Sequence, residues 1–418
     1  MPVAEFELGV DLASHDTFAD GIPHDAFARA RREAPVFWHP EPPPNSGFWV
    51  VTRWANLVAV HRDVKTFSSE LGHVGLEELA DDELVVRRSM LETDPPKHTR
   101  LRRIVSPFFT PKAVGEYESY ARELAREVLD RALVENELDF VERVSAPFPM
   151  SVLMRILGTP REDGPYLIGL GDKMIAHADP DYSAAVVDRE DTSEYRLLPF
   201  RSPAALQLFE YARAIAEKRR ASPEDDLITK LVFAEVDGYR LTEREFDNFF
   251  TLLVIAGNET TRHSLSHALL AFAEHPDELR RLKADRALMS TAVEELLRWG
   301  TPIFHFRRTA TTETELGGAT IGAGEKVVTW YISANRDEDV FPDPFRFDVA
   351  REPNEHVTFG KYGPHFCLGA YLARLEIRVM LEELLPRIEA VELAGAVKRV
   401  RSNFVNGIKQ LPVRFTYA

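Results

Sequence analysis

Between Thr242 and Pro276 the chain runs 34 residues without a proline. At about 1.5 Å per residue an unbroken helix there would span about 50 Å, enough to cross a whole domain. Thr242 and Glu245 form a capping-box pattern at its start. Phe249, Phe250, Leu252, Leu253, Val254 and Ile255 make it apolar nearly all round, so other elements must wrap it. A second helix opens at Ser290-Thr291 and stops at Gly300-Thr301-Pro302. The pattern reads as mostly helical from about Pro111. Pro35–Val51, punctuated by Pro40, Pro42, Pro43 and Pro44, reads as turns and short strands, and Lys326–Ile332 as a strand. Strands are expected only in the first 60 residues and after residue 300. Phe341-Pro342-Asp343-Pro344 reads as loop, and Asp179–Pro203, polar and irregular, as a long surface loop or lid.

The middle of the long helix breaks its own pattern with Ala256-Gly257-Asn258-Glu259-Thr260-Thr261. Glycine inside a helix costs about 1 kcal/mol against alanine, and a carboxylate in an apolar helix needs a partner or water. Small residues would let a ligand lie against the helix, and a carboxylate followed by a hydroxyl can pass protons to it. A solvated kink with Glu259 facing outward is the other reading of the same residues.

Cys367 is the only cysteine in 418 residues, which excludes an intramolecular disulfide and any multi-cysteine metal site. It can be a buried structural residue, a nucleophile or the single axial ligand of a haem. Its surroundings, Phe359-Gly360-Lys361-Tyr362-Gly363-Pro364-His365-Phe366-Cys367-Leu368-Gly369, favour the haem ligand. Gly363 and Gly369 remove side chains on both sides of the sulfur. A helix with Leu368, Leu372, Leu375 and Val379 on one face is expected to start right after the cysteine, its N-terminus favouring a thiolate. Glu295 and Arg298 share a helix face, as do His98 and Arg102, the latter pair suited to clamping a carboxylate. Taken alone, each pair also fits a solvated helix face.

A net charge of −16 argues against nucleic acid or an anionic membrane as partner. No run approaches the roughly 18 apolar residues of a membrane span, and Met1–Asp16 lacks the basic and apolar regions of a signal peptide. The expectation is a protein of the reducing cytoplasm with no membrane anchor and no fused reductase or ferredoxin domain.

Together, in this order along the chain, these elements resemble a bacterial cytochrome P450: His98…Arg102, then AGNETT, then ELLR, then Pro-Phe-Arg-Phe, then the cysteine segment. The resemblance implies a mainly α fold with a small β-rich part, one domain over 1–418. Its β-rich part would lie within 35–60 and 300–418, and its helical part at about 85–300 and 366–386. It also implies O2-dependent hydroxylation, a b-type haem, and electrons from NAD(P)H through a separate ferredoxin and ferredoxin reductase. Cys367 would be the iron ligand. Glu259 and Thr260 match the family's acid–alcohol pair, which delivers protons on the distal side. His98, Arg102, Arg308 and His365 match residues that hold the haem propionates, and Ala256 and Gly369 would also face the haem. Glu295, Arg298 and Arg346 match a structural triad behind the cysteine loop. The substrate pocket would be formed by Met90, Leu91, Leu252, Ala256, Ile303, Phe304, Phe306, Phe404 and Val405, with His305 a polar oddity among them. Lys361, Arg374 and the arginines after His98 would receive the ferredoxin. The usual cysteine segment has phenylalanine seven residues before the cysteine; here Gly360 takes that place and Phe359 lies eight before. That variant, with AGNETTR, SANRDE and NGIKQLPV, resembles the subgroup acting on steroids and methyl-branched lipids. The segment at about 182–203 looks longer than in those relatives. A peroxide-driven haem-thiolate peroxygenase and a non-enzymatic haem sensor are the rival readings.

Overall fold

The computed structural model describes residues 6–43, 45–183 and 185–418; Pro44 lies outside them. Its centre is the long helix, Glu243–Glu274, 32 residues. Thr242 Oγ1 accepts from the Glu245 amide (3.2 Å) and Glu245 Oε2 accepts from the Thr242 amide (3.0 Å), a reciprocal cap of the kind that stabilises a helix start by about 1 kcal/mol. The helix ends where Pro276 begins the next one.

Eight helices carry the argument. In chain order they are α1 (Lys97–Val105), α2 (Glu118–Ala132), α3 (Pro147–Leu157), α4 (Gly164–Ile175), α5 (Ala204–Ala221), α6 (the central helix), α7 (Met289–Gly300) and α8 (Ala370–Leu384). α6 packs against α3, α4, α5, α7 and α8, which covers the apolar girdle read from its sequence. Burying one such leucine or phenylalanine side chain contributes about 1.5–3 kcal/mol. The result is a single large apolar cluster running from Met90 to Phe415.

The β-rich part is a five-stranded sheet in the order β1-β2-β6-β5-β3. Its strands are β1 (Val36–His39), β2 (Phe48–Val51), β3 (Phe67–Ser68), β5 (His305–Ala310) and β6 (Lys326–Trp330). A second sheet joins β4 (Glu137–Asp139) to β7 (Ile388–Leu393) and β8 (Pro412–Tyr417) in the order β7-β8-β4. β3, β4 and a hairpin at Glu235–Arg240 therefore correct the expectation that strands stop at residue 60 and resume at 300. The hairpin had a local signal, since Asp237 and Gly238 both take positive φ (54° and 76°), as a two-residue primed turn requires. Helices also begin earlier than expected, at His24–Glu33, Trp54–Arg62 and Asp81–Arg87. Their apolar stripes are only two or three turns long, too short to stand out by periodicity.

The segment after α4 is pinned at several points. Arg189 pairs with Asp16, Arg196 with Asp82, and Arg201 with Glu77 and Glu83. Arg401 bridges Asp188 (2.7 Å) and Asp16 (2.5 Å).

Candidate functional site

Cys367 lies one turn before α8. Its amide donates to Phe359 O (2.8 Å) and the Ala370 amide donates back to Cys367 O (3.4 Å). Gly369 caps the helix, so α8 starts three residues after the cysteine. The extra residue in this loop is absorbed by left-handed backbone at Gly360 (φ 70°) and Tyr362 (φ 70°). A tyrosine in that region is strained. Its side chain is held by the Arg62 guanidinium 4.5 Å over the ring and by a hydrogen bond to Glu355 (3.2 Å). The two glycines beside the cysteine serve different ends. A Cβ on Gly363 would meet His61 O at 2.5 Å, whereas one on Gly369 would meet nothing within 4 Å. Gly363 thus makes room for the backbone of His61, and only Gly369 leaves open space.

Behind the loop, Arg298 donates to Glu295 through Nε (2.7 Å) and Nη2 (2.8 Å), both side chains fully buried. Arg298 Nη1 also reaches Asn335 O (2.8 Å) and Pro344 O (2.9 Å). Asn335 ties this pair to the cysteine segment, accepting from the Val357 amide (2.8 Å) and donating to Thr358 Oγ1 (2.9 Å). The second arginine on Glu295 is Arg351, at 3.2 Å. The expected Arg346 is instead largely exposed and 4.0 Å from Asp348. Arg351 Nη2 caps Arg346 O (2.7 Å), so the turn at 343–351 carries the later arginine inward and leaves the earlier one in water.

Cys367 lines a cavity whose empty volume, open mouth included, is about 1530 Å³. Burial pushes the thiol up, opposed by the Gly369 amide, Arg102 and Arg374. His98, Arg102, Arg308 and His365 line the same cavity. The two imidazoles lie 4.1 Å apart. Burial is the main force that lowers His98 to about 4 and His365 to about 2, with the arginines adding to it. His98 Nδ1 is buried without a partner. The Arg308 guanidinium makes one hydrogen bond, to the Arg307 carbonyl (2.7 Å). Two guanidiniums and two neutral imidazoles thus converge with no carboxylate bound among them, an arrangement that fits an anionic group. Among the described residues no cluster of three or more His, Cys, Asp or Glu could hold a bare metal ion. A lone thiolate beside that cationic corner fits a metal that brings its own macrocycle and carboxylates, as haem does.

Leu252, Ala256, Gly257, Thr260 and Thr261 of α6 line the same cavity as the cysteine. Thr260 Oγ1 donates to Ala256 O (2.8 Å). Glu259 is 1% exposed, which removes the outward-facing kink. Burial pushes its carboxyl up to about 7, with Arg262 opposing and Asp172 reinforcing. Asn258 donates to Oε1 (2.9 Å) and Arg262 stands 3.1 Å from Oε2, itself 2.7 Å from Asp172. Glu259 faces a second, outer cavity that shares Leu91, Leu252, Ala256, Thr260, Ile303 and Phe306 with the first.

The sequence of residues 75–398 matches the cytochrome P450 family. The chain is a cytochrome P450. It is 37% identical to the steroid C26-monooxygenase of Mycobacterium tuberculosis over 100% of this chain and 95% of that one. It is 38% identical to the methyl-branched lipid omega-hydroxylase of the same organism, covering 100% of this chain and 96% of the relative. Its fold matches the Mycobacterium marinum cytochrome P450 CYP268A2 in complex with pseudoionone, with TM-score 0.86, 40% identity and 94% of each chain covered. The family and the relatives' names make the protein a monooxygenase.

Of the expected pocket residues in this P450, Met90, Leu91, Leu252, Ala256, Ile303 and Phe306 line the inner cavity and Phe404 and Val405 the outer one. Phe304 does not. It packs on Phe18 (ring centroids 4.6 Å) in a separate core cluster, because it precedes β5 and its side chain turns to the opposite face of the sheet from Phe306. His305 is fully buried between Trp330 and Phe404, a core histidine. The sequence reading missed Phe249 and Leu297 in the inner cavity and Asn248, Thr251 and Arg87 in the outer one. Asn248 and Thr251 fall on the α6 face that carries Leu252, Ala256 and Glu259, a spacing of threes and fours that could have flagged them. Lys361 pairs with Glu355, and Arg374 with Glu294 (2.6 Å), so the positive charge expected near the cysteine is partly neutralised. Among the described residues no helix is long and apolar enough to cross a membrane.

Proposed function

We propose that this P450 hydroxylates a steroid or methyl-branched lipid, with electrons passed from NAD(P)H by a separate ferredoxin reductase and ferredoxin in the cytoplasm. The observation that carries the reading is one cavity lined together by Cys367, by Ala256 and Thr260 of α6, and by the apolar Met90, Leu91, Phe249, Leu252, Ile303 and Phe306. The names of the steroid and branched-lipid relatives support the substrate class.

Cys367 would hold the haem from below, while His98, Arg102, Arg308 and His365 would receive its carboxylates. When bound, the haem supplies the capacity to bind and activate O2. The apolar walls strip water from the substrate and hold it against α6. Glu259, raised to about 7, keeps a proton close to neutral pH, with Arg262 and Asn258 fixing the carboxyl. Glu259 also lines the outer cavity, so it can take a proton from water there and give it to Thr260. Thr260 reaches the inner cavity and passes the proton on by turning its hydroxyl from Ala256 O. Glu295, Arg298 and Arg351 hold the cysteine loop and take no part in the chemistry.

Turnover of steroids and branched lipids with ferredoxin, reductase, NADH and labelled O2 should give products carrying one labelled oxygen. In Thr260→Ala, product per NADH should fall several-fold and released peroxide rise; unchanged coupling would overturn the role of Thr260. Equal turnover with peroxide alone would replace this reading with the peroxygenase.

A further inference from the structure

The outer cavity is apolar where it meets the inner one, but its far end presents buried polar atoms with no partner in the protein. Asn248 is 3% exposed, and its amide nitrogen donates to Val86 O and Arg88 O, both at 3.0 Å. Those two bonds fix the amide's orientation and leave Oδ1 as an unpaired acceptor. One turn on, Thr251 is also 3% exposed and its hydroxyl is unpaired. Ser264 and Ser266, also buried on α6, bond the carbonyl four residues back; Thr251 does not. Arg87, 6% exposed, pairs through Nη2 with Glu77 (3.1 Å) and leaves Nε and Nη1 unpaired. All three residues line the outer cavity.

Leaving a buried polar group without a partner is costly, so three such groups on one cavity mark the place of a ligand atom. Their chemistry narrows it. Glu77 sits between Arg87 and Arg201, Arg201 also pairs with Glu83, and Glu92, 3.7 Å from His73, lines the cavity too. The two arginines are thus outnumbered by three carboxylates, and an anionic head would meet no net positive charge. A free acceptor on Asn248 together with free donors on Arg87 matches a group that both donates and accepts, which is a hydroxyl. The helix supplies a ruler. Asn248, Thr251, Leu252, Ala256 and Thr260 line one continuous path along α6. At about 1.5 Å per residue, Asn248 stands about 12 Å from Ala256 and about 18 Å from Thr260.

We propose that Asn248, Thr251 and Arg87 form a hydroxyl-binding subsite that anchors the substrate by its end remote from the oxidised carbon, with about 12–18 Å between the two. This rests on the steroid or branched-lipid reading above and adds what that reading leaves open, the polar group and its distance.

The test is calorimetric binding to the holoenzyme of a 3-hydroxysteroid with an intact side chain, its matched 3-ketone and its 3-deoxy hydrocarbon. The alcohol should bind about three- to tenfold more tightly than the hydrocarbon, the size of one or two net hydrogen bonds, with the ketone between them. Thr251→Val, which keeps the side-chain shape, should reduce the preference for the alcohol and leave hydrocarbon affinity unchanged. Turnover of the alcohol should place the new oxygen about 12–18 Å from the existing hydroxyl. Equal binding of all three ligands to the wild-type enzyme would overturn the subsite and leave the steroid reading standing. Equal weakening of alcohol and hydrocarbon by Thr251→Val, or oxidation beside the hydroxyl, would also overturn it. If none of the three binds, the steroid reading falls and the subsite with it.

Discussion

The buried polar groups behind Cys367 and those in front of it are organised in opposite ways. Behind it, Glu295, Arg298, Arg351 and Asn335 satisfy one another and the backbone within 3.2 Å. In front of it, Thr251 Oγ1, Asn248 Oδ1 and two Arg87 nitrogens have no protein partner. Breaking either kind of group costs stability, but only the second kind has capacity left to bind or move something. The first region is scaffold, and the second is where ligand and protons belong.

The largest effect expected from this contrast is on stability. Arg298→Leu removes the two-pronged partner of the buried Glu295 carboxylate, leaving Arg351 at 3.2 Å as its remaining arginine, and should cost about 3–5 kcal/mol, read as a lower denaturant midpoint and loss of haem. Arg351→Ala should cost about 1–3 kcal/mol, and Arg346→Ala no more than about 0.5 kcal/mol, as for an ordinary surface site. The reverse order for the two arginines would restore Arg346 to the triad.

Next comes the pH response of Glu259. Its carboxyl is raised from an ordinary 4.5 to about 7, so between those values the folded protein holds a proton that the unfolded chain releases. Its contribution to stability is therefore present in full below about pH 4.5 and is lost as pH rises through about 7. Glu259→Gln should flatten that part of the stability curve and remove the limb near pH 7 from the turnover profile. A limb that persists in the variant would assign it to another group.

Smaller effects are expected at the rim. Arg401 holds Asp16 and Asp188 together at the edge of the outer cavity. Arg401→Ala should speed substrate release by at most about fivefold, the size of partly exposed ion pairs. Stopped-flow displacement measures this, and unchanged release would remove the segment around 188 from the access route. The smallest effect is expected at the face proposed to receive the ferredoxin. With Lys361 and Arg374 already paired, raising ionic strength should slow reduction by ferredoxin only weakly. A steep salt dependence would show that these pairs open on docking.

The long helix was legible because apolar girth, a capping box and a missing proline all act locally. The cavity wall at 256–260 was legible because it violates that local pattern. Arg351 was not, since two arginines five residues apart in one loop differ only in which way the turn carries them. Phe304 was misread because strand alternation does not yet hold one residue before β5. Asn248 and Thr251 read as ordinary polar residues until the packing of α6 placed them, almost fully buried, on the wall of the outer cavity. In each case the missing information was the tertiary surroundings rather than residue type.

The central claim is that Cys367 is the thiolate ligand of a haem facing α6. It is tested most directly by reducing the purified protein, adding carbon monoxide and recording the difference spectrum beside a Cys367→Ala control. A Soret band at the thiolate position that is absent from the control is the predicted result. A protein without haem, or a spectrum that survives loss of the thiol, would contradict it.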